Sequence, residues 1–176
     1  MNKIKVIVVN GVSRSGKNEF IDYMREKHQL LISHSTIDTI FKSLTQYGMI
    51  DKSKKGPKER EFLASVKQAW IEYNDGPFDE VKNLVSFLDE RRKLTYNLKT
   101  TYLIVQVREP EEMQKLKDYF KEDFISILVV KDDVKPQHET DNHVNEWAYT
   151  YIVPNNGTLK DLEKQTDMIV RWIGGK

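Results

Sequence analysis

Apolar positions along this chain alternate between two periods. Ile4-Lys5-Val6-Ile7-Val8-Val9, Thr101–Val107 and Phe124–Val130 are nearly unbroken hydrophobic runs of strand length, with shorter ones at Gln29–Ser33 and Tyr149–Val153. Continuous rather than alternating runs are the mark of strands buried on both faces. Between the runs the spacing changes to that of helices: Phe20, Ile21 and Met24; Ile37, Ile40, Phe41 and Leu44; Phe62, Val66, Trp70 and Tyr73; Phe78, Val81, Leu84 and Leu88; Met113, Leu116 and Phe120; and Leu162, Ile169, Val170 and Ile173. Asn74-Asp75-Gly76-Pro77 terminates one helix, Pro110 suits the first turn of another, and Thr158–Asp161 fits a capping box for the last. Strands alternating with helices predict a three-layer α/β/α domain over residues 1–176, built on a five-stranded parallel sheet. Residues 35–100 hold more helix than a crossover needs and read as an insertion between strands two and three, placed over the sheet's ligand edge. The polar stretch 131–147 reads either as a lid or as a surface loop, and the basic segment 51–60, with its Gly-Pro breaker, as a mobile loop.

The chemistry begins where the first strand stops. Gly11-Val12-Ser13-Arg14-Ser15-Gly16-Lys17-Asn18 follows the apolar run directly and opens a helical pattern. This is G-x-x-x-x-G-K in a strand–loop–helix context, the phosphate-binding loop, and it makes the predicted domain a P-loop NTPase fold. Gly11 and Gly16 permit the tight turn that wraps backbone N–H groups around an anion, the next helix adds its N-terminal dipole, and Lys17 reaches the β- and γ-phosphates. Asn18 stands where Ser or Thr usually supplies a hydroxyl to Mg²⁺. Its amide oxygen is a weaker ligand. Either the loop binds nucleotide without turnover, or magnesium is held mainly by water and phosphate oxygens.

Composition narrows the class. Of 176 residues, 31% are charged, yet the net charge is only +1, so no global field draws the chain to nucleic acid or membrane. The absence of cysteine excludes disulfides, thiolate metal sites and a cysteine nucleophile. The hydrophobic run before the loop is too short for a signal peptide or a membrane span, and a cytoplasmic location is expected.

Further candidates lie where strands two and three end. Arg14, inside the loop, would face whatever sits beside the phosphates. Arg108 ends strand three and would grip an acceptor phosphate, or else cap a helix or pair with Glu109 and Glu112. Ser35 and Thr36 follow strand two and serve either as substrate contacts or as a helix cap. Asp38 is placed to bind a sugar hydroxyl or to favour the helix N-terminus. Arg91 and Arg92 end a helix, where cations are expected in any case. His138 to His143 contains metal-ligand residue types, but the spacing matches no zinc pattern.

The loop resembles the G-x-x-R-S-G-K-D form of phage-type deoxynucleoside monophosphate kinases and the similar loop of animal phosphomevalonate kinases. Those enzymes usually carry Asp after the lysine, so Asn18 is a conservative departure. Arg108-Glu109-Pro110-Glu111-Glu112 is similar to the R-x-P/E-E-x segment after their third strand. Tyr151–Leu159 is similar to the closing strand–N-x-G–helix of small P-loop kinases, which implies that Asn155, Asn156 and Gly157 lie beside the adenine ring. Residues 45–100 match nothing in that group. Two departures stand out: Gln106 and Val107 supply no strand-three carboxylate, and residues 131–147 contain lysines where adenylate kinases have lid arginines.

These readings converge on an ATP-dependent phosphotransferase acting on a small phosphorylated acceptor, a (deoxy)nucleoside monophosphate, with ATP and Mg²⁺ as cofactors. Lys17, Arg14 and Arg108 would act on the transferring group. Gly11, Ser13, Arg14, Ser15, Gly16, Lys17 and Asn18 would hold the donor, with Asn18 near the metal; Ser35, Thr36, Asp38 and Arg108 would face the acceptor. Two alternatives remain: a nucleotide-binding regulatory or scaffold protein without turnover, and a polynucleotide-end kinase, which the balanced charge disfavours. Self-association into a homodimer is left open by the sequence.

Overall fold

The computed structural model describes residues 4–27, 31–51, 53, 56–94, 100–107, 109–135 and 139–174. Five parallel strands, β1 (Ile4–Asn10), β2 (Leu31–His34), β3 (Thr101–Val105), β4 (Phe124–Val130) and β5 (Tyr151–Pro154), form one sheet in the order β2-β3-β1-β4-β5. Around it lie α1 (Lys17–Lys27), α2 (Thr36–Gln46), α3 (Pro57–Asn74), α4 (Gly76–Leu94), α5 (Pro110–Phe120) and α6 (Leu159–Gly174). The expected α/β/α architecture and the helical insertion between strands two and three are both present.

The alternation of side chains along the strands divides the core in two. Ile7, Val9, Ile104, Ile127 and Val129 face Phe20, Ile21 and Met24 of α1 and Leu162, Ile169 and Ile173 of α6. Val6, Val8, Leu103 and Val105 face the other way, onto Val81 of α4 and Met113 and Leu116 of α5. The central strands are therefore apolar at most positions, because a helical layer covers each side. A third cluster, Ile40, Ile50 and Leu63 with Phe41, Leu44, Val66 and Trp70, holds α2 to α3. Between α3 and α4 the chain turns at Asp75, which has left-handed backbone (φ 55°). Gly76 follows, where any Cβ would run into the Trp70 indole.

Some boundaries differ from the periodicity. β3 stops at Val105, two residues short of Val107, although the Gln106 N–H still donates to the His34 carbonyl at 3.1 Å. β5 starts at Tyr151 rather than Tyr149, since Thr150 bonds β4 through side chains: its N–H donates to Ser126 Oγ at 3.1 Å and its hydroxyl accepts from the Ser126 N–H at 3.2 Å. Of the second run, Gln29 and Leu30 lie outside the described residues. No helix among the described residues is long and apolar enough to cross a membrane.

Candidate functional site

β1 and β4 are neighbours whose connections leave in opposite directions, β1 toward β2 and β4 toward β5. A ligand crevice in an open α/β sheet forms at such a switch point, beyond the carboxyl ends of the strands. The loop Gly11–Gly16 occupies that place. Arg14 (φ 67°) and Gly16 (φ 91°) both have left-handed backbone, and a non-glycine residue held there is strained by about 1–3 kcal/mol. Such alternation of backbone handedness is the geometry of an anion nest.

The loop is packed as closely as its glycines allow. A Cβ at Gly11 would stand 2.5 Å from Ser15 Oγ and 2.6 Å from the Val129 carbonyl, and a Cβ at Gly16 would collide with the Asn155 amide. Ser15 is buried, its N–H donating to the Val12 carbonyl at 3.2 Å and its hydroxyl enclosed without a hydrogen-bond partner among the described residues. Lys17 opens α1, and its Nζ donates to the Gly11 carbonyl at 3.2 Å, folding the cation back over the loop. Ser13 is half-buried, while Arg14 and Asn18 are exposed. Gly11, Ser13, Arg14, Ser15, Gly16, Lys17 and Asn18 are thus one constellation.

The closing segment meets this loop through Asn155, which is buried and donates to the Ser15 carbonyl at 2.8 Å. Asn156 is turned away, exchanging hydrogen bonds with Asp132: its Oδ1 accepts from the Asp132 N–H at 2.9 Å and its Nδ2 donates to Oδ2 at 2.7 Å. Gly157 lies in the exposed turn before the Thr158–Asp161 capping box, whose Thr158 hydroxyl donates to Asp161 Oδ2 at 2.7 Å.

Ser35, Thr36 and Asp38 lie at the end of β2, with β3 between them and the loop. Ser35 is the N-cap of α2, its Oγ accepting from the Asp38 N–H at 3.3 Å. Thr36 is buried and Asp38 exposed. Arg108 lies outside the described residues.

Two charged clusters lie by this edge, built on Glu80 and on Lys67, which the sequence left unassigned. Glu80 of α4 comes within 3.1 Å of His34 Nε2 at the end of β2. Burial pushes the Glu80 carboxyl up, but the donors of His34, Thr36 and Thr39 outweigh it and hold the carboxyl below the ordinary range. At the start of α5, Lys67 of α3 stands 2.9 Å from both Glu109 Oε2 and Glu112 Oε2. Burial works against the Lys67 charge, yet the two carboxylates raise its pKa overall. For Glu112, burial and the like charge of Glu109 push its carboxyl up more than Lys67 pulls it down. Neither Glu80 nor Lys67 carries a local sequence signal, because each looks like one charge among many on an amphipathic helix.

No family model and no curated protein matches this chain. Among solved structures, the APS kinase of Mycobacterium tuberculosis aligns over 98% of this chain and 99% of its own, with a TM-score of 0.51 at 9% identity. That likeness shows the fold. The chain has the α/β fold of P-loop kinases. A sugar kinase from Janibacter sp. aligns over 96% and 94% of the two chains at the same 9% identity, with a TM-score of 0.45.

Proposed function

We propose that this protein is an ATP-dependent phosphotransferase acting on a small phosphorylated acceptor, most specifically a (deoxy)nucleoside monophosphate. The observation that carries the reading is the loop at the switch point: a left-handed Arg14 and Gly16, a buried Ser15 and a lysine folded onto Gly11, all at the head of α1. That arrangement fits the triphosphate of ATP, because the loop is close-packed without side chains at its glycines and carries a cation able to exchange a carbonyl for phosphate oxygens. Asn18, exposed on the first turn of α1, fits magnesium only as a neutral oxygen donor, so water and phosphate oxygens would complete the metal's shell. Bound there, the metal would neutralise charge on the donor phosphates.

In this reading Lys17 and Arg14 concentrate positive charge on the transferring group, and Arg108 holds the acceptor phosphate. Ser35 keeps α2 at the end of β2, from where Thr36 and Asp38 face the acceptor. Asn155 holds the loop from below, while the turn at Asn156 and Gly157 borders the base. Phosphoryl transfer asks the protein for alignment and charge rather than a covalent group, and these residues supply both. Incubation with Mg·ATP and a panel of deoxynucleoside monophosphates should yield diphosphates. If no diphosphate forms with any member, the kinase reading is lost.

A second reading is favoured by one observation: the end of β3 carries Gln106 and Val107, with no carboxylate. A nucleotide-binding regulator without turnover would bind ATP tightly in calorimetry and release neither ADP nor phosphorylated product.

A further inference from the structure

Gly11 opens the phosphate loop, and its peptide groups are held from two directions. Its carbonyl accepts from Lys17 Nζ at 3.2 Å, and its N–H donates to Asn10 Oδ1 at 2.8 Å. Asn10, at the end of β1, is fully buried. Its Nδ2 donates to the Tyr149 hydroxyl at 2.9 Å, and that hydroxyl donates to the Val144 carbonyl at 2.8 Å. A chain of hydrogen bonds therefore runs from the connection between β4 and β5, through two side chains, to the first N–H of the loop.

Each link fixes the next. The tyrosine hydroxyl uses its one proton on Val144, so toward Asn10 it can only accept. Asn10 must then present its NH₂ to Tyr149 and its carbonyl oxygen to Gly11. Burial pushes the Tyr149 hydroxyl up to about 12, so it stays a donor throughout the ordinary pH range. The connection itself is anchored: Val144 is buried, and Trp147 packs edge-on to Phe124 at 6.3 Å between centroids while donating to Ser126 Oγ at 3.2 Å.

We propose that Asn10 and Tyr149 are positioning residues of the phosphate site, fixing the Gly11 peptide and keeping it in place when Lys17 is shared with a bound phosphate. The inference rests on the nucleotide-binding reading above. The Lys17 ammonium has three N–H donors, so a bound phosphate shares it with the Gly11 carbonyl and weakens that side of the tether. The Asn10 bond, on the other side, does not depend on the ligand. Gly11 also has no room to drift, lying against Ser15 and the Val129 carbonyl.

The test separates positioning from plain stability. Tyr149→Phe keeps the ring and deletes only the hydroxyl. Ser126→Ala is the control, since it cuts the Trp147 and Thr150 bonds of the same connection without touching the chain to Gly11. The dissociation constant of a magnesium-loaded, non-hydrolysable ATP analogue is measured by calorimetry, beside the melting temperature of the empty protein. We expect Tyr149→Phe to weaken binding about tenfold, as loss of one well-placed buried hydrogen bond implies, with Ser126→Ala within about twofold of wild type even if it melts earlier. Wild-type affinity in Tyr149→Phe, with only a lowered melting temperature, overturns the inference. If that variant does not fold, Asn10→Ser, too short to span Gly11 and Tyr149, is judged by the same two readouts. A wild-type protein that does not bind the analogue overturns the phosphate-site reading itself, a different outcome from binding that Tyr149→Phe leaves intact.

Discussion

Asn155, at the end of β5, donates its side-chain amide to the carbonyl of Ser15 at 2.8 Å, and in doing so fills the space that a side chain on Gly16 would need. Two residues far apart in sequence therefore fix one another. Gly16→Ala meets both the Asn155 amide and the cost of a left-handed backbone, and should lower stability by about 1–3 kcal/mol while weakening nucleotide binding more than tenfold. Asn155→Ala leaves the Ser15 carbonyl without this partner and should cost about 1–2 kcal/mol. The double variant should be less damaging than the two costs added, because removing the Asn155 amide also removes the collision. Urea unfolding of all four proteins measures the coupling; strict additivity would show that Asn155 and Gly16 act independently.

Lys17 is half-buried and folded onto its own loop, so its removal touches no part of the core. Lys17→Ala should change unfolding free energy by less than about 1 kcal/mol, since a partly solvated hydrogen bond to a carbonyl is worth little more. If the kinase reading holds, turnover should fall by about 10²–10³, the scale of losing one preorganised charge on the transition state. A variant that melts much earlier but turns over normally would place Lys17 in the scaffold instead.

Lys67 is the hinge pin between the helical insertion and the start of α5. Lys67→Met removes the ammonium that stands 2.9 Å from both the buried Glu112 carboxylate and Glu109. Breaking a buried pair from one side typically costs about 3–5 kcal/mol, and the lower end applies because Glu109 is partly solvated and Glu112 protonates readily. Adding Glu112→Gln should recover part of the loss. Chemical denaturation near neutral pH would reveal it as a coupling energy of opposite sign to the single-variant costs.

How far the sequence carried this picture depended on the range of each interaction. β1 and β4 were legible in full, because strands enclosed on both faces are apolar at nearly every position. The loop from Gly11 to Asn18 was legible because its chemistry is local: two glycines, a lysine and a following helix. β5 was shifted by two residues because Tyr149 and Thr150 spend their polar groups on Asn10 and Ser126 rather than on the strand ladder. Glu80 and Lys67 were illegible, for their partners sit 46 and 42 or 45 residues away and nothing in a helical charge pattern names a distant partner. Asn155 was found by resemblance to a turn beside the base, whereas the geometry gives it a grip on the loop backbone.

Stability at acid pH should divide between two carboxyls that move oppositely. Glu80 is depressed in the folded protein, so its contribution is present above the ordinary Glu value of about 4.3 and is lost as pH falls through the lower folded value. Glu112 is raised, so its contribution is present below about 4.3 and is lost as pH climbs through the higher folded value. Glu80→Gln should therefore flatten the acid limb of the melting curve. Glu112→Gln should gain on wild type as pH rises from 4 toward neutrality, at about the rate set by one titrating group. Melting temperatures taken across that window check both signs; parallel curves for the two variants would contradict them.

The last prediction concerns closure. Phosphoryl transfer competes with hydrolysis, so a kinase gains by excluding water once both substrates are in place. α2 and the amino-terminal half of α3 share a small core of their own, Ile40, Ile50 and Leu63. They join the remainder through Ser35 at the end of β2, through Thr36 and Thr39 against Glu80 of α4, and through Lys67 of α3 against the start of α5. Those polar attachments lie outside the two central cores, so a swing of this unit need not break them. On the opposite side, Lys131 and Lys135 are exposed, with Asp132 between them tied to Asn156, and either lysine would supply the cation of a closing 131–147 segment. Amide exchange should be faster in α2 and residues 57–66 than in β1 and β4 of the empty protein. It should slow there, and across the described parts of 131–147, when a bisubstrate analogue is bound. The donor analogue alone should protect the loop and α1 but not α2. Equal protection of α2 with and without the bisubstrate analogue would rule out closure, and would leave the phosphate loop and its tethers as they stand.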